Sequence, residues 1–160
     1  MKIVEPLAPR KGTVVPIAIP NDGKCLAIDP GNHTGWALFL HGGLIACGTG
    51  TPPSQGVAHA VIEYPQVYPR SPVPPNSIVK LAFTAGRLVG ELRLVADIKM
   101  VLPHDWKGDL PKDVCAARAM KKLNAGELRV VAEAREIIKG KFDDVMDAVA
   151  LGLYAFGGRR

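Results

Sequence analysis

The stretch that decides the fold is residues 24–50, which read KCLAIDPGNHTGWALFLHGGLIACGTG. The apolar run 24–29 ends in Asp-Pro-Gly, a combination that is typical of a strand entering a tight turn. Two more apolar runs, 35–40 and 44–50, lie on either side of a glycine pair, which is typical of a β-hairpin. These residues therefore predict an antiparallel meander of three strands.

The rest of the chain alternates between strand-like and helix-like patterns. The predicted elements are a strand at 59–65, a loop with five prolines at 65–76, a helix at 77–95, a strand at 97–102, and helices at 111–123, 126–139 and 143–156. Ser77 is the expected N-cap of the first helix, and apolar residues on nearly every side of that helix predict burial on more than one face. This order predicts an α/β protein whose five-stranded mixed sheet, a meander followed by parallel strands, carries helices on both faces.

Length and composition fit a single compact domain. The chain has 160 residues, of which 48% are hydrophobic and 22% charged, so disorder is excluded as the dominant state. Residues 1–23 contain four prolines and no sustained periodicity. They are predicted to form an N-terminal arm, which leaves 24–160 as the folded domain.

Charge and cysteine content narrow the class of protein. Lys and Arg number 20 against 15 Asp and Glu, a basic balance that is weak evidence for a nucleic-acid partner. The three cysteines form no CxxC pair, which argues against a disulfide scaffold or a zinc site. No apolar run reaches the length of about 18 residues that a membrane span requires, and the N-terminus does not resemble a secretory signal. The expected location is therefore the cytoplasm.

Four acidic residues lie where predicted elements begin or end. Asp29 ends the first strand, although an Asp-Pro-Gly turn is common for structural reasons alone. Glu63 lies near the end of an apolar strand, where a carboxylate buried without a partner would cost several kcal/mol, so it either meets a cation or is exposed. Asp144 and Asp147 are three residues apart and share one face of the last helix. The helix dipole accounts moderately for an acid at 144 and poorly for one a turn deeper at 147.

If these acids converge, they require positive charge between them. Two carboxylates about 4 Å apart repel by about 4 kcal/mol at an effective dielectric constant near 20, so a cluster is tolerable only with cations or raised pKa values. Ligands that are all oxygen favour Mg²⁺ or Mn²⁺ over zinc. We therefore predict a site for two such ions, which can activate a water molecule and stabilise the leaving oxygen of a phosphodiester.

The motifs that carry these acids resemble the RuvC family of Holliday junction resolvases, which belongs to the RNase H-like superfamily. The opening AIDPGNHTGWAL (27–38) and the closing DDVMDAVALGLYA (143–155) are the more specific matches. Weaker matches lie between them in the family's order: VIEYP (61–65), SIVKLAFTAG (77–86) and LPHDWKG (102–108). The resemblance implies an RNase H-like fold, a metal-dependent nuclease activity and branched DNA as the substrate.

The resemblance also assigns roles to single residues. The implied metal ligands and catalytic acids are Asp29, Glu63, Asp144 and Asp147. Lys107 becomes a candidate for contact with the scissile phosphate or stabilisation of the transition state, against the alternative of a solvated loop lysine beside Trp106. Lys112 is a weaker second candidate. The predicted nucleic-acid contacts are Lys80, Lys107, Lys112 and Tyr68.

Two departures from the family's pattern bear on specificity. The family's aromatic wedge, three residues after the second acid, is Gln66 in this chain, although Tyr64 and Tyr68 flank it and could stack on a base. The family's basic loop is longer than here, where Lys107 and Lys112 are only five positions apart. Both departures concern the choice of junction and of cleavage sequence, and neither changes the predicted metal chemistry.

We therefore expect a Mg²⁺- or Mn²⁺-dependent endodeoxyribonuclease that resolves Holliday junctions or related branched DNA in a bacterial or phage-infected cell. Two alternatives use the same fold. One is a catalytically silent DNA-binding or structural subunit, which the loss of any of the four acids would have favoured. The other is a nuclease for RNA or RNA–DNA hybrids, which would share every metal ligand. The helix start SIVKL favours the resolvase branch.

We also expect a homodimer. A four-way junction has two-fold symmetry, so paired cleavage requires two equivalent active sites. On the helix predicted at 77–95, Ala82, Gly86 and Gly90 recur every four residues and form a smooth ridge that a second helix could approach. The alternative is that these small residues seat the helix on its own sheet. The residues otherwise expected to contact the sheet are Leu81, Leu88, Leu92 and Val95.

Overall fold

The computed structural model describes residues 19–20, 22–31, 33–67, 73–94, 96–140 and 142–156. Their helices and strands are, in chain order, β1 (Lys24–Asp29), β2 (Gly35–Leu40), β3 (Gly43–Thr49), β4 (Val57–Glu63), α1 (Pro75–Leu92), β5 (Asp97–Val101), α2 (Pro103–Lys107), α3 (Lys112–Lys122), α4 (Ala125–Ile137) and α5 (Phe142–Ala155). No described helix is both long enough and apolar enough to cross a membrane.

The strands form one mixed sheet in the order β3-β2-β1-β4-β5. The first three strands are antiparallel neighbours, while β4 and β5 join the sheet in parallel. The turn between β2 and β3 places His41 and Gly42 at φ values of 48° and 74°, the left-handed pair that suits a two-residue hairpin. The predicted meander and the parallel strands after it are confirmed.

Helices cover both faces of this sheet, as predicted. Side chains alternate along a strand, so Leu26 and Ile28 of β1 point to the face on which Leu88 of α1 packs. Ala27, between them in sequence, points to the opposite face and packs in a larger core with residues of α5 such as Val149. Cys25, Cys47 and Cys115 are unpaired and buried.

Helix α1 differs from the prediction at its start and in its burial. It begins at Pro75 with Pro74 as its N-cap, so Ser77 is not the cap; the Ser77 N–H donates to the Pro74 carbonyl at 2.9 Å. Proline is favoured in a first turn because its missing N–H would have no partner there. The buried residues of α1, Ala85, Leu88 and Leu92, form a single stripe. The prediction that α1 is buried on more than one face was therefore wrong for a single copy of the chain.

Two further features were not predicted. The short helix α2 follows β5 directly, and it carries Trp106 and Lys107. Ile19, which falls in the predicted arm, is buried, and its N–H donates to the carbonyl of Ala155 at 3.3 Å. Residues 1–18 lie outside the described part of the chain, so the arm stays a prediction.

Candidate active site

The topology of the sheet brings two of the predicted acids to one edge. Asp29 is the last residue of β1 and Glu63 the last residue of β4, and these strands are parallel neighbours. Ala27 and Val61 belong to the core on the α5 side. Because side chains alternate, Asp29 and Glu63, each two residues further along, project to that same side.

The first turns of α5 bring the other two acids to this edge. Helix α5 packs on β1 and β2, and Gly35, the first residue of β2, lies directly against the backbone carbonyl of Asp144. Gly152, further along α5, lies equally close to the ring of Phe39. A Cβ at either glycine would overlap these atoms, so the absence of side chains sets how closely α5 approaches the sheet.

The acids line one cleft of about 350 Å³. Its walls contain six of the predicted site residues: Asp29, Glu63, Asp144, Asp147, Lys107 and Lys112. The structure thus places in one cleft residues that come from β1, β4, α2, α3 and α5. Their roles as metal ligands and phosphate contacts stay predictions.

Lys107 lies inside this cluster. Its Nζ is 3.1 Å from Glu63 Oε2 and 3.9 Å from Asp147 Oδ2, and its side chain is 17% exposed. Lys107 is therefore not a solvated loop lysine. The Trp106 indole N–H donates to the same Glu63 oxygen at 2.8 Å, and Lys107 Nζ lies 4.9 Å from the centre of the Trp106 ring. The sequence analysis gave Trp106 no role in the site.

Lys112 pairs with the acids of α5 from the more open side. Its Nζ is 3.2 Å from Asp147 Oδ2 and 3.8 Å from Asp144 Oδ1, while 60% of its side chain is exposed. For both lysines burial lowers the pKa, but the nearby carboxylates outweigh burial and raise the pKa above its ordinary value. Lys107 and Lys112 are therefore charged at neutral pH.

Asp29 has the most perturbed acid–base equilibrium of the cluster. Its burial, followed by the charges of Glu63 and Asp147, raises the pKa of its carboxyl from 3.8 to about 7. Lys107 opposes this rise but does not cancel it. The cluster contains four carboxylates and two lysines, an excess of negative charge that raises carboxyl pKa values when no further cation is present.

The chemistry of the donors fits a divalent cation. Asp147 is only 2% exposed, and its buried Oδ2 has ion-pair contacts with the lysines but accepts no hydrogen bond. Carboxylate oxygens in a cluster with excess negative charge suit Mg²⁺ or Mn²⁺. Among the described residues, however, no three acidic, histidine or cysteine side chains are arranged so that one ion could contact all of them.

Of the other predicted nucleic-acid contacts, Lys80 lies outside this cleft. Lys80 is exposed on α1 and lines a neighbouring cleft instead of this one. Tyr68 lies outside the described residues, so its predicted contact with nucleic acid stays a prediction. Tyr64 is 51% exposed.

No family model matches the chain, and no curated protein matches it in sequence. Among solved structures, the fold is similar to that of T. thermophilus RuvC in complex with a Holliday junction substrate, with 15% identity and a TM-score of 0.51 over 82% of this chain and 90% of that chain. Another structure of Thermus thermophilus RuvC has 14% identity and a TM-score of 0.47, with 82% and 92% covered. The first likeness confirms the predicted RNase H-like fold.

Proposed function

We propose that this chain is a divalent-metal-dependent endodeoxyribonuclease that cleaves branched DNA, such as a four-way junction. The observation that supports it most is the convergence of four carboxylates, from three separate elements, with two lysines in one cleft. The fold is similar to that of a protein solved with a Holliday junction substrate, and this likeness supports branched DNA over other phosphodiesters in the proposal.

In this proposal the residues of the cleft have different roles. The residues that would hold Mg²⁺ or Mn²⁺ are Asp29, Glu63, Asp144 and Asp147. When bound, such ions polarise a phosphoryl oxygen and make water a better nucleophile. Lys107, which keeps its proton at neutral pH, presents an ammonium group to a phosphate entering the cleft. The Trp106 N–H holds Glu63 in place, so Trp106 is a positioning residue.

The catalytically silent alternative has one observation in its favour. Lys107 and Lys112 lie between the acids in the way that bound cations would. In a silent subunit these ion pairs would be permanent, and the protein would bind DNA without binding Mg²⁺. Direct measurement of metal binding therefore separates the two functions independently of any cleavage assay.

The experiment that tests the proposal is cleavage of a labelled four-way junction, a fork and an RNA–DNA hybrid with Mg²⁺. Asp29→Asn and Asp147→Asn should each abolish cleavage while folding and junction binding persist, because Asn keeps the shape and removes the charge. The matched control is Asp143→Asn, since Asp143 is an exposed acid in the first turn of α5 and does not line the cleft. Asp143→Asn should cleave normally.

Three results would overturn parts of this proposal. Normal cleavage by either cleft variant would refute the acidic site. Calorimetry that detects no Mn²⁺ binding to the wild-type chain would favour the silent subunit. Cleavage of the hybrid with the branched DNA left intact would move the substrate to RNA.

A homodimer built on α1 is part of the proposal. A Cβ added at Gly86 or Gly90 would meet nothing within 4 Å, so these glycines do not seat the helix on its sheet. A second copy of the chain packed on this ridge would supply the two equivalent sites that paired cleavage of a two-fold junction requires.

A further inference from the structure

A second cleft adjoins the acidic one. It has a volume of about 600 Å³ and lies between the turn that follows β1 and the exposed side of α1. Gly31 and Leu81 line both clefts. A DNA strand bound in the acidic cleft would therefore enter the second cleft directly as it continues past Gly31 and Leu81.

The α1 wall of this second cleft is basic. Lys80, Thr84 and Arg87 follow each other at intervals of four and three residues, so they lie on one side of the helix. Lys80 has no ion-pair partner among the described residues. Arg87 pairs with Glu91 at 2.6 Å, but both side chains are about half exposed, and such pairs contribute little. The two cations lie about 10 Å apart along the helix axis.

An aromatic ring lies beside these cations. Phe83 lines the same cleft, and 76% of it is exposed to solvent. A basic groove with an exposed aromatic side chain is the composition that binds single-stranded nucleic acid, since phosphates follow the charges and a base stacks on the ring. In an intact duplex both faces of each base are already stacked. The ring therefore suits an unpaired base, as found where strands branch.

We propose that the second cleft binds the DNA strand that leaves the acidic cleft, with Phe83 stacked on an unpaired base and Lys80 and Arg87 on its phosphates. This inference rests on the proposed function, and it makes Phe83 a residue that distinguishes branched from fully paired DNA. Phe83 lies beside the glycine ridge of α1 on which the proposed dimer would pack, so the alternative occupant is a second copy of the chain that covers Phe83 as well.

The test is fluorescence anisotropy with the full chain in EDTA, so that binding is measured without cleavage. The probes are a fully paired duplex and a duplex with a central unpaired segment. Phe83→Ala should weaken binding to the unpaired probe about tenfold and leave duplex binding unchanged. Lys80→Met and Arg87→Met should weaken binding to both probes. Each should also reduce the slope of log K against log salt concentration by about the amount that one phosphate contact contributes. Leu94→Ala is the control, because Leu94 is 83% exposed and lies outside the cleft.

Each other outcome overturns the inference. Equal binding by wild type and Phe83→Ala, or an equal loss on both probes, would refute stacking by Phe83. Sedimentation showing that Phe83→Ala dissociates a dimer while each protomer still binds the unpaired probe normally would assign Phe83 to a protein interface. A wild-type chain that binds neither probe would refute the proposed function itself, which is a different result from normal binding by the variant.

Discussion

Gly35 lies against the backbone carbonyl of Asp144, so closely that a Cβ at residue 35 would overlap the carbonyl. Gly35 is also the partner of Asp29 in the register between β1 and β2. One residue without a side chain thus sets the distance between the two elements that carry Asp29 and Asp144. The geometry of the acidic cluster depends on this contact as well as on the acids.

We predict that Gly35→Ala destabilises the protein by about 1–3 kcal/mol or more, because the overlap is with backbone atoms that cannot rotate away. The displaced α5 should also weaken Mn²⁺ binding. Gly31→Ala is a matched control for stability, since its Cβ would contact the Asp144 carboxylate at an ordinary distance of 3.6 Å. Thermal unfolding and calorimetry measure both effects, and equal stability of the two variants would contradict the prediction.

The raised pKa of Asp29 predicts how stability changes with pH in the absence of metal. Folding raises the pKa of this carboxyl from 3.8 to about 7, so the folded state binds protons more tightly than the unfolded state. The contribution of this protonation to the free energy of unfolding is fully present below pH 4 and is lost as the pH rises through 7. Asp29→Asn should remove this loss. In EDTA the variant should be more stable than wild type by up to about 4 kcal/mol above pH 7. A difference that does not shrink between pH 7 and 4 in denaturant titrations would contradict this.

The two lysines should differ in their effect on the metal-free protein. Lys107→Met leaves Glu63 and Asp147 without a mostly buried partner, which should cost about 3 kcal/mol. Lys112→Met removes a largely exposed partner and should cost less than about 1 kcal/mol. Mg²⁺ should raise the melting temperature of Lys107→Met more than that of wild type, because the ion replaces the missing charge. Equal melting temperatures of both variants in EDTA would argue against this assignment.

Trp106→Phe should show whether Trp106 positions Glu63 or only packs against its neighbours. The substitution keeps an aromatic ring and removes the N–H that donates to Glu63, which should cost about 2 kcal/mol and weaken Mn²⁺ binding. Trp36→Phe is the matched control, because the buried Trp36 Nε1 has no hydrogen-bond partner. If both variants bind Mn²⁺ as wild type does, Trp106 only packs.

Gly86→Leu should test the dimer without disturbing the fold. Space is open around residue 86, so the variant should keep its circular dichroism spectrum yet sediment as a monomer and lose paired cleavage. Ala117→Leu places the same side chain at an exposed position of α3 and should leave the dimer intact. A wild-type chain that is monomeric with and without junction DNA would rule out the dimer.

Local patterns in the sequence were sufficient to predict most of the fold. The alternation of apolar residues in 24–50 and the glycine pair within it specify a meander through contacts between neighbouring residues. The positions of Asp29 and Glu63 at strand ends follow from the same patterns. Since parallel neighbours end at one edge, strand order and these ends together imply that the two acids meet.

Only the tertiary structure decided what lies between the acids. The contacts of Glu63 with Trp106 and Lys107 join residues 43 and 44 positions apart, and they arise because the chain turns into α2 directly after β5. No pattern within either segment encodes this contact, because the free energy of a buried ion pair depends on desolvation by both elements at once. The exposure of the large apolar residues Val79 and Phe83 of α1 was also not predicted. The exposed apolar residues of α1 are as hydrophobic as the buried ones, and their exposure is set by what the rest of the chain leaves uncovered.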